Sequence, residues 1–186
     1  MGYGSLGKLT FNKIVLNSAR KVLTTIGRNI ERIGKALGMK VIIAERKNAT
    51  TIREGRTSFD DAIRQATLFI VVVPRDDETH NMISTAELEA MDDTAIIVNV
   101  GRGGVIDETA VVQALRDGKI GGFATDVFAP EPATKESSIL LDLTIPNLVL
   151  SPHIAWYSSK TISGTIETLK KNIEGFVAGT PHNVVV

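Results

Sequence analysis

The chain has 186 residues, no cysteine, and 21 basic against 21 acidic side chains, so its formal net charge is zero. The missing cysteines exclude a disulfide framework, a thiolate metal site and a cysteine nucleophile, and the charge balance speaks against nucleic acid or an anionic membrane as partner. The apolar fraction, 43%, is enough for one real core, and no apolar run is long enough for a transmembrane helix or a signal peptide; the expected location is the cytoplasm.

Short apolar runs alternate with amphipathic stretches, the pattern of βα units around a parallel sheet. In chain order the predicted strands are Lys13–Asn17, Lys40–Ala44, 68–73, 95–100, 122–127 and 148–151. Their interiors are almost wholly apolar and rich in Val and Ile, as in strands buried on both faces. Between the first two, Val22, Ile26, Ile30, Ile33 and Leu37 recur at helical spacing, and Gly38 follows as a C-cap. Residues 107–116 read as a helix with an acidic N-cap, stopped at Gly118. The longest predicted helix covers 158–178, with Ile162, Ile166, Leu169, Ile173 and Phe176 on one stripe. Residues 129–146, with prolines and polar side chains, form the one long irregular stretch. The expected fold is α/β: a single Rossmann-like, doubly wound, mostly parallel domain over 1–186, with 1–12 leading in and 158–186 as C-terminal helix and tail.

In an open parallel sheet, ligands bind outside the carboxyl ends of the strands. Asn99-Val100-Gly101-Arg102-Gly103-Gly104 follows one strand, Asp126-Val127-Phe128-Ala129-Pro130-Glu131-Pro132 ends and follows another, and Ser151-Pro152-His153-Ile154-Ala155-Trp156 follows the last. A guanidinium can hold a substrate carboxylate in a bidentate pair. An imidazole can move a proton near neutral pH, and a carboxylate beside it fixes its tautomer. Taken singly, each residue also reads as an ordinary loop residue; together at neighbouring strand ends, Arg102, Glu131 and His153 form a candidate catalytic set.

Asn-x-x-Arg-Gly-Gly-x-x-Asp, Asp-Val-Phe-x-x-Glu-Pro and Pro-His-x-x-Trp, in this order, resemble the signature of the D-isomer-specific 2-hydroxyacid dehydrogenases. Residues 44–47, 53–57 and 178–185 resemble the glycerate dehydrogenase and hydroxypyruvate reductase branch, and the likeness runs from about Gly34 to the C-terminus. The resemblance implies that Arg102 binds the substrate carboxylate and carbonyl, that His153 is the acid/base, and that Glu131 pairs with it. It implies that Asp126 meets the nicotinamide amide, that Glu45 takes the adenosine ribose hydroxyls, and that Pro74 and Thr79 lie where a loop crosses the cofactor. NAD or NADP is the implied cofactor: Glu45 favours a free 2′-hydroxyl, whereas Arg46 and Lys47 offer charge for a 2′-phosphate. The partners implied are a small-molecule substrate and a second copy of the chain; no metal is expected.

Two features depart from that pattern. The first strand-to-helix turn should carry G-x-G-x-x-G, whose glycines make the tight turn, admit the pyrophosphate and pack helix on strand. Gly27 takes the third place; the first two fall on Val22 and Thr24 counted back from Gly38, or on Ala19 and Lys21 counted forward from Lys13. A Cβ there crowds the pyrophosphate, although Arg20, Lys21 and a helix N-terminus offer another phosphate grip. Second, only 1–12 precede the first strand, so the family's separate substrate domain is expected to be absent. Three readings compete: a degenerate or truncated dehydrogenase domain, an enzyme of non-redox acid–base chemistry using Arg102, Glu131 and His153 without NAD, and a non-catalytic binding or assembly module.

Overall fold

The computed structural model describes residues 13–17 and 25–184. The chain divides into two units, 1–150 and 151–186. The first contains β1 (Lys13–Asn17), α1 (Thr25–Ala36), β2 (Lys40–Ala44), α2 (Phe59–Gln65), β3 (Leu68–Val71), α3 (Thr85–Ala90), β4 (Ile96–Asn99), α4 (Glu108–Arg116), β5 (Gly122–Thr125), a 3-10 turn at Ile139–Leu141 and β6 (Leu148–Leu150). The second contains α5 (Ser159–Val177).

The six strands form one all-parallel sheet in the order β2-β1-β3-β4-β5-β6. Register explains why the runs had to be apolar throughout. Val15, Phe69, Ile97 and Phe123 stand side by side across four strands, all at 2% exposure or less. With Ile42 they face the main core, which the apolar sides of α2, α3 and α4 close. One residue earlier or later along the strands, Ile14, Ile70 and Val72 face the other way and pack with Val41, Val98 and Ile30 of α1. Successive strand side chains point to opposite faces, so a sheet covered on both sides leaves no polar position inside a strand. Each such aliphatic or aromatic side chain stabilises the fold by roughly 1.5–3 kcal/mol through burial.

β1 and β2 have the predicted bounds; β3 to β6 pair over fewer residues than the apolar runs suggest. Pairing stops where the chain turns out to build the rim. Val72 and Val73 stay buried beyond β3, and Val100 and Asp126 still donate backbone N–H groups to Val71 and Asn99.

The caps follow the sequence rules. Asp107 accepts from the N–H groups of Thr109 and Ala110 at the start of α4, satisfying two donors that a helix start leaves orphaned. Gly118 ends that helix at φ 63°, and Gly38 does the same after α1 at φ 75°. The apolar stripe of α1 is a different matter. Ile26, Ile33 and Leu37 are half exposed or more, while Gly27 and Gly34 lie in the buried face. The reason is close approach: a Cβ on Gly34 would sit 3.1 Å from Val41 and 3.3 Å from Ile14. The helix packs on the sheet through its glycines, which turns part of its stripe outward.

In the second unit, Ser158 caps α5 by accepting from the Thr161 N–H, and Gly179 ends it at φ 72°. Ile166, Leu169, Ile173, Phe176 and Val177 are all more than half exposed. Among the described residues, no helix is long and apolar enough to cross a membrane.

Candidate active site

The strand order reverses at β1, whose neighbours are β2 on one side and β3 on the other. Crossovers leave in opposite directions from such a point and open a crevice at the carboxyl ends of the strands. Three stretches of that rim lie among the described residues of the first unit: the end of β2, the loop after β3, and the paired loops after β4 and β5. The turn after β1, with Ala19, Lys21, Val22 and Thr24 at the glycine places, lies outside the described residues; Gly27 is buried in the first turn of α1.

The loop after β4 is built by Asn99, which is 2% exposed. Its Oδ1 accepts from the Gly101 N–H at 3.0 Å, and its Nδ2 donates to the Arg102 carbonyl oxygen at 3.0 Å. One side chain thereby replaces the turn's own backbone pairing and leaves Arg102 exposed at the rim. The guanidinium folds back to donate to the Gly101 carbonyl at 2.7 Å. The glycines around it are steric requirements: a Cβ on Gly101 would meet the Val73 carbonyl oxygen at 2.6 Å, and one on Gly103 the Phe128 carbonyl oxygen at 1.8 Å. The Arg102 loop is therefore wedged between the chain leaving β3 and the chain leaving β5.

That second contact brings the Arg102 loop against the segment carrying Asp126 and Glu131. Asp126 is buried at 5% exposure, with its backbone N–H on the Asn99 carbonyl. Glu131 is exposed, between two proline peptides that are both cis, and its Oε1 accepts from the Phe128 N–H at 2.9 Å. Its carboxylate thus closes its own loop. Across the β3 loop, Pro74 is exposed and Thr79 is buried. The Thr79 hydroxyl accepts from the Asp76 N–H at 2.8 Å and lies 2.8 Å from both the Pro74 carbonyl and the Asp76 carboxylate. Thr79 is the internal knot of this loop; Pro74 is its outward face.

Glu45, the first residue past β2, is 2% exposed. It accepts from the Arg46 N–H at 2.9 Å, the Arg53 N–H at 3.3 Å, Arg53 Nε at 2.7 Å and Arg53 Nη2. The Arg53 hydrogen bonds hold its pKa down at about 2 against the opposing effect of burial. Arg53 escaped the sequence reading as a site residue, although it opens the 53–57 stretch that carries part of the family likeness. Lys47 turns away from this corner, with Nζ on Glu87 at 2.7 Å and on the Met82 carbonyl at 2.9 Å.

In the second unit, His153 has a left-handed backbone, φ 54°, a conformation that disfavours most side chains but in which His is enriched. Its N–H donates to the Ser151 carbonyl, and its own carbonyl accepts from Trp156 Nε1 at 2.8 Å. This gives the Pro-His-x-x-Trp spacing a physical meaning: the indole three residues on fastens the strained backbone of the histidine. Among the described residues, no group of His, Asp and Glu is arranged to hold a metal ion.

Comparison with known proteins bears on the family and the fold. The profile of the D-isomer specific 2-hydroxyacid dehydrogenase NAD binding domain matches residues 23–155, starting upstream of Gly34, where the motif likeness was expected to begin. The chain is 39% identical to the glycerate dehydrogenase of Methylorubrum extorquens over 160 residues, which is 86% of this chain and 49% of that protein. The NAD-complexed 2-hydroxyacid dehydrogenase of Lactobacillus delbrueckii ssp. bulgaricus superposes with a TM-score of 0.79 at 25% identity, over 97% of this chain and 57% of that one. An acyclic imino acid reductase in complex with NADPH and D-arginine gives a TM-score of 0.81 at 25% identity, over 97% and 55%. The chain spans about half the length of the curated relatives it matches. A six-stranded parallel sheet, the Asn99–Arg102 turn at its carboxyl edge and this likeness over most of the sequence place the chain in the D-isomer specific 2-hydroxyacid dehydrogenase family, as its NAD-binding domain.

Proposed function

We propose that the chain is the nucleotide-binding half of an enzyme moving hydride between NAD(P) and a small 2-hydroxy or 2-oxo acid. The observation that carries this reading is the Asn99-built turn, which exposes Arg102 at the rim of the crevice. Arg102 would anchor the substrate carboxylate and polarise its carbonyl. His153 would give the proton to the carbonyl oxygen in reduction and take it back in oxidation. Glu131 would orient that imidazole, and Asp126 would hold the nicotinamide amide; when bound, the nicotinamide supplies the hydride. The names of the relatives, glycerate dehydrogenase and glyoxylate reductase, support a small carboxylate substrate. The bulkier side chains at the glycine places make dinucleotide binding weaker than the fold would otherwise give, with hydride transfer wherever the cofactor still binds. They also favour a second reading, non-redox acid–base chemistry by the same three side chains; a binding module without catalysis is the third. The exposed apolar stripe of α5 supports a homodimer, and the setting is cytoplasmic.

The test is a panel of small 2-oxo and 2-hydroxy acids assayed with and without NADH or NADPH. Turnover that requires the dinucleotide supports hydride transfer. Turnover without it moves the function to the second reading, and none under either condition to the third.

A further inference from the structure

Three loops of the first unit border a cavity of about 370 Å³, within the size range of pockets that hold small molecules. His80 and Asn81 come to it from the loop after β3, Gly104 from the loop after β4, Glu108 and Thr109 from the first turn of α4, and Ala129 from the loop after β5. The walls are fastened to one another. The Asn81 N–H donates to the Gly104 carbonyl at 2.8 Å. Glu108 accepts from the Ala129 N–H and from the Ser138 hydroxyl, both at 2.8 Å. A pocket braced in this way loses little conformational freedom when a ligand enters.

Its polar side chains are available. Among the described residues, the side chains of His80, Asn81 and Thr109 make no hydrogen bond or ion pair. Arg75 lies against Gly104, where a Cβ would be 3.0 Å from its Cζ and 3.1 Å from its Nε. Its guanidinium is also unpaired among the described residues. An ionised carboxylate has about four acceptor positions; Glu108 uses one on each oxygen, which leaves the others for a ligand. These groups select a chemistry. A guanidinium holds a carboxylate in a two-pronged pair, and Glu108 accepts hydroxyls. An uncharged polyol would leave Arg75 unpaired. A phosphate dianion would be repelled by Glu108 more strongly than a carboxylate is.

We propose that this cavity is a second ligand site, for a small hydroxy acid whose carboxylate pairs with Arg75 and whose hydroxyls reach Glu108 and Thr109. The site uses none of Arg102, Glu131 and His153, and it stands whether or not the chain transfers hydride. Gly104 lies two residues from Arg102 and Ala129 two from Glu131, so the ligand ties together the loops that carry those side chains. The chain has 3 histidines, and their imidazole signals in the ¹⁵N-labelled full chain are assigned with His80→Gln and His153→Gln. Titration with D-glycerate should move the His80 signal saturably, half-maximally on the order of 1 mM. Arg75→Gln and Thr109→Val, both at exposed positions, should each raise that concentration at least about fivefold, whereas Arg102→Ala should leave it unchanged. Glycerol and glycerol 3-phosphate should bind more weakly. A stationary His80 signal, a response lost in Arg102→Ala, one indifferent to Arg75→Gln and Thr109→Val, or one matched by glycerol or glycerol 3-phosphate would overturn the site. Movement of His153 alone would place the acid at Arg102, overturning the second site and leaving the proposed function standing.

Discussion

Asn99 holds Arg102 in place by its backbone: the buried amide donates to the Arg102 carbonyl while accepting from the Gly101 N–H. Leu fills the same space and makes neither bond. Asn99→Leu leaves the buried Gly101 N–H and the part-buried Arg102 C=O without their partner, which should cost about 2–4 kcal/mol. Urea unfolding reads this as a lowered midpoint with an unchanged slope. A midpoint equal to that of the unmodified protein would mean that the turn holds itself.

Gly103→Ala should be among the most damaging single-methyl changes in the chain. The added carbon would lie 1.8 Å from the Phe128 carbonyl oxygen, a backbone atom that cannot swing aside. The expected loss exceeds about 3 kcal/mol or abolishes folding. Gly38→Ala meets open space and only a left-handed φ of 75°, so its cost should be about 1 kcal/mol. Thermal melting of the two variants side by side checks the contrast.

The Glu45–Arg53 pair makes stability depend on acid pH. The folded pKa of Glu45 is depressed from 4.5 to about 2. Its contribution is therefore complete above pH 4.5 and is lost as pH falls towards 2. The shift corresponds to a stabilisation on the order of 3 kcal/mol. Urea titrations at neutral and acid pH should show this decline in the unmodified chain and a flatter profile in Glu45→Gln. Parallel declines in both would place the acid sensitivity elsewhere.

His153→Ala should lower turnover by roughly a hundredfold to ten-thousandfold through loss of the proton donor. Arg102→Lys should hurt nearly as much, because an ammonium makes no two-pronged contact with a carboxylate. Under hydride transfer both effects appear only with added dinucleotide, and Asp126→Ala joins them. Activity indifferent to both His153 and Arg102 would remove this constellation from the chemistry.

The α5 stripe predicts self-association. Light scattering at micromolar concentration should give twice the chain mass, and Ile166→Ser with Phe176→Ser should shift it to monomer. A monomer in the unmodified chain would count against the homodimer.

The sheet was legible because burial on both faces forces unbroken Val- and Ile-rich runs, and it is seen as six parallel strands. The ends of β3 to β6 were less so, since Val72, Val73 and Val100 stay apolar after pairing stops. Helical spacing identified α1 but not its buried face, because periodicity weighs Ile26 and Ile33 while packing selects Gly27 and Gly34. Motif order singled out Arg102, Asp126, Glu131 and His153 as candidates. It did not show what holds them: the Asn99 amide at Arg102, the Phe128 N–H at Glu131, the Trp156 indole at His153 and, for Glu45, an arginine eight residues away. Lys47 looked like a candidate phosphate contact by adjacency; its pairing with Glu87 on α3 could be known only from the fold.

The loop of Pro74, Asp76 and Thr79 ties its hydroxyl, carboxylate and backbone groups to one another. A segment knotted in this way is ordered before any ligand arrives, so its configurational entropy is surrendered during folding and not again on association. Cutting the knot with Thr79→Val would transfer that ordering cost to the binding step. Affinity would then fall through slower productive encounter and faster escape.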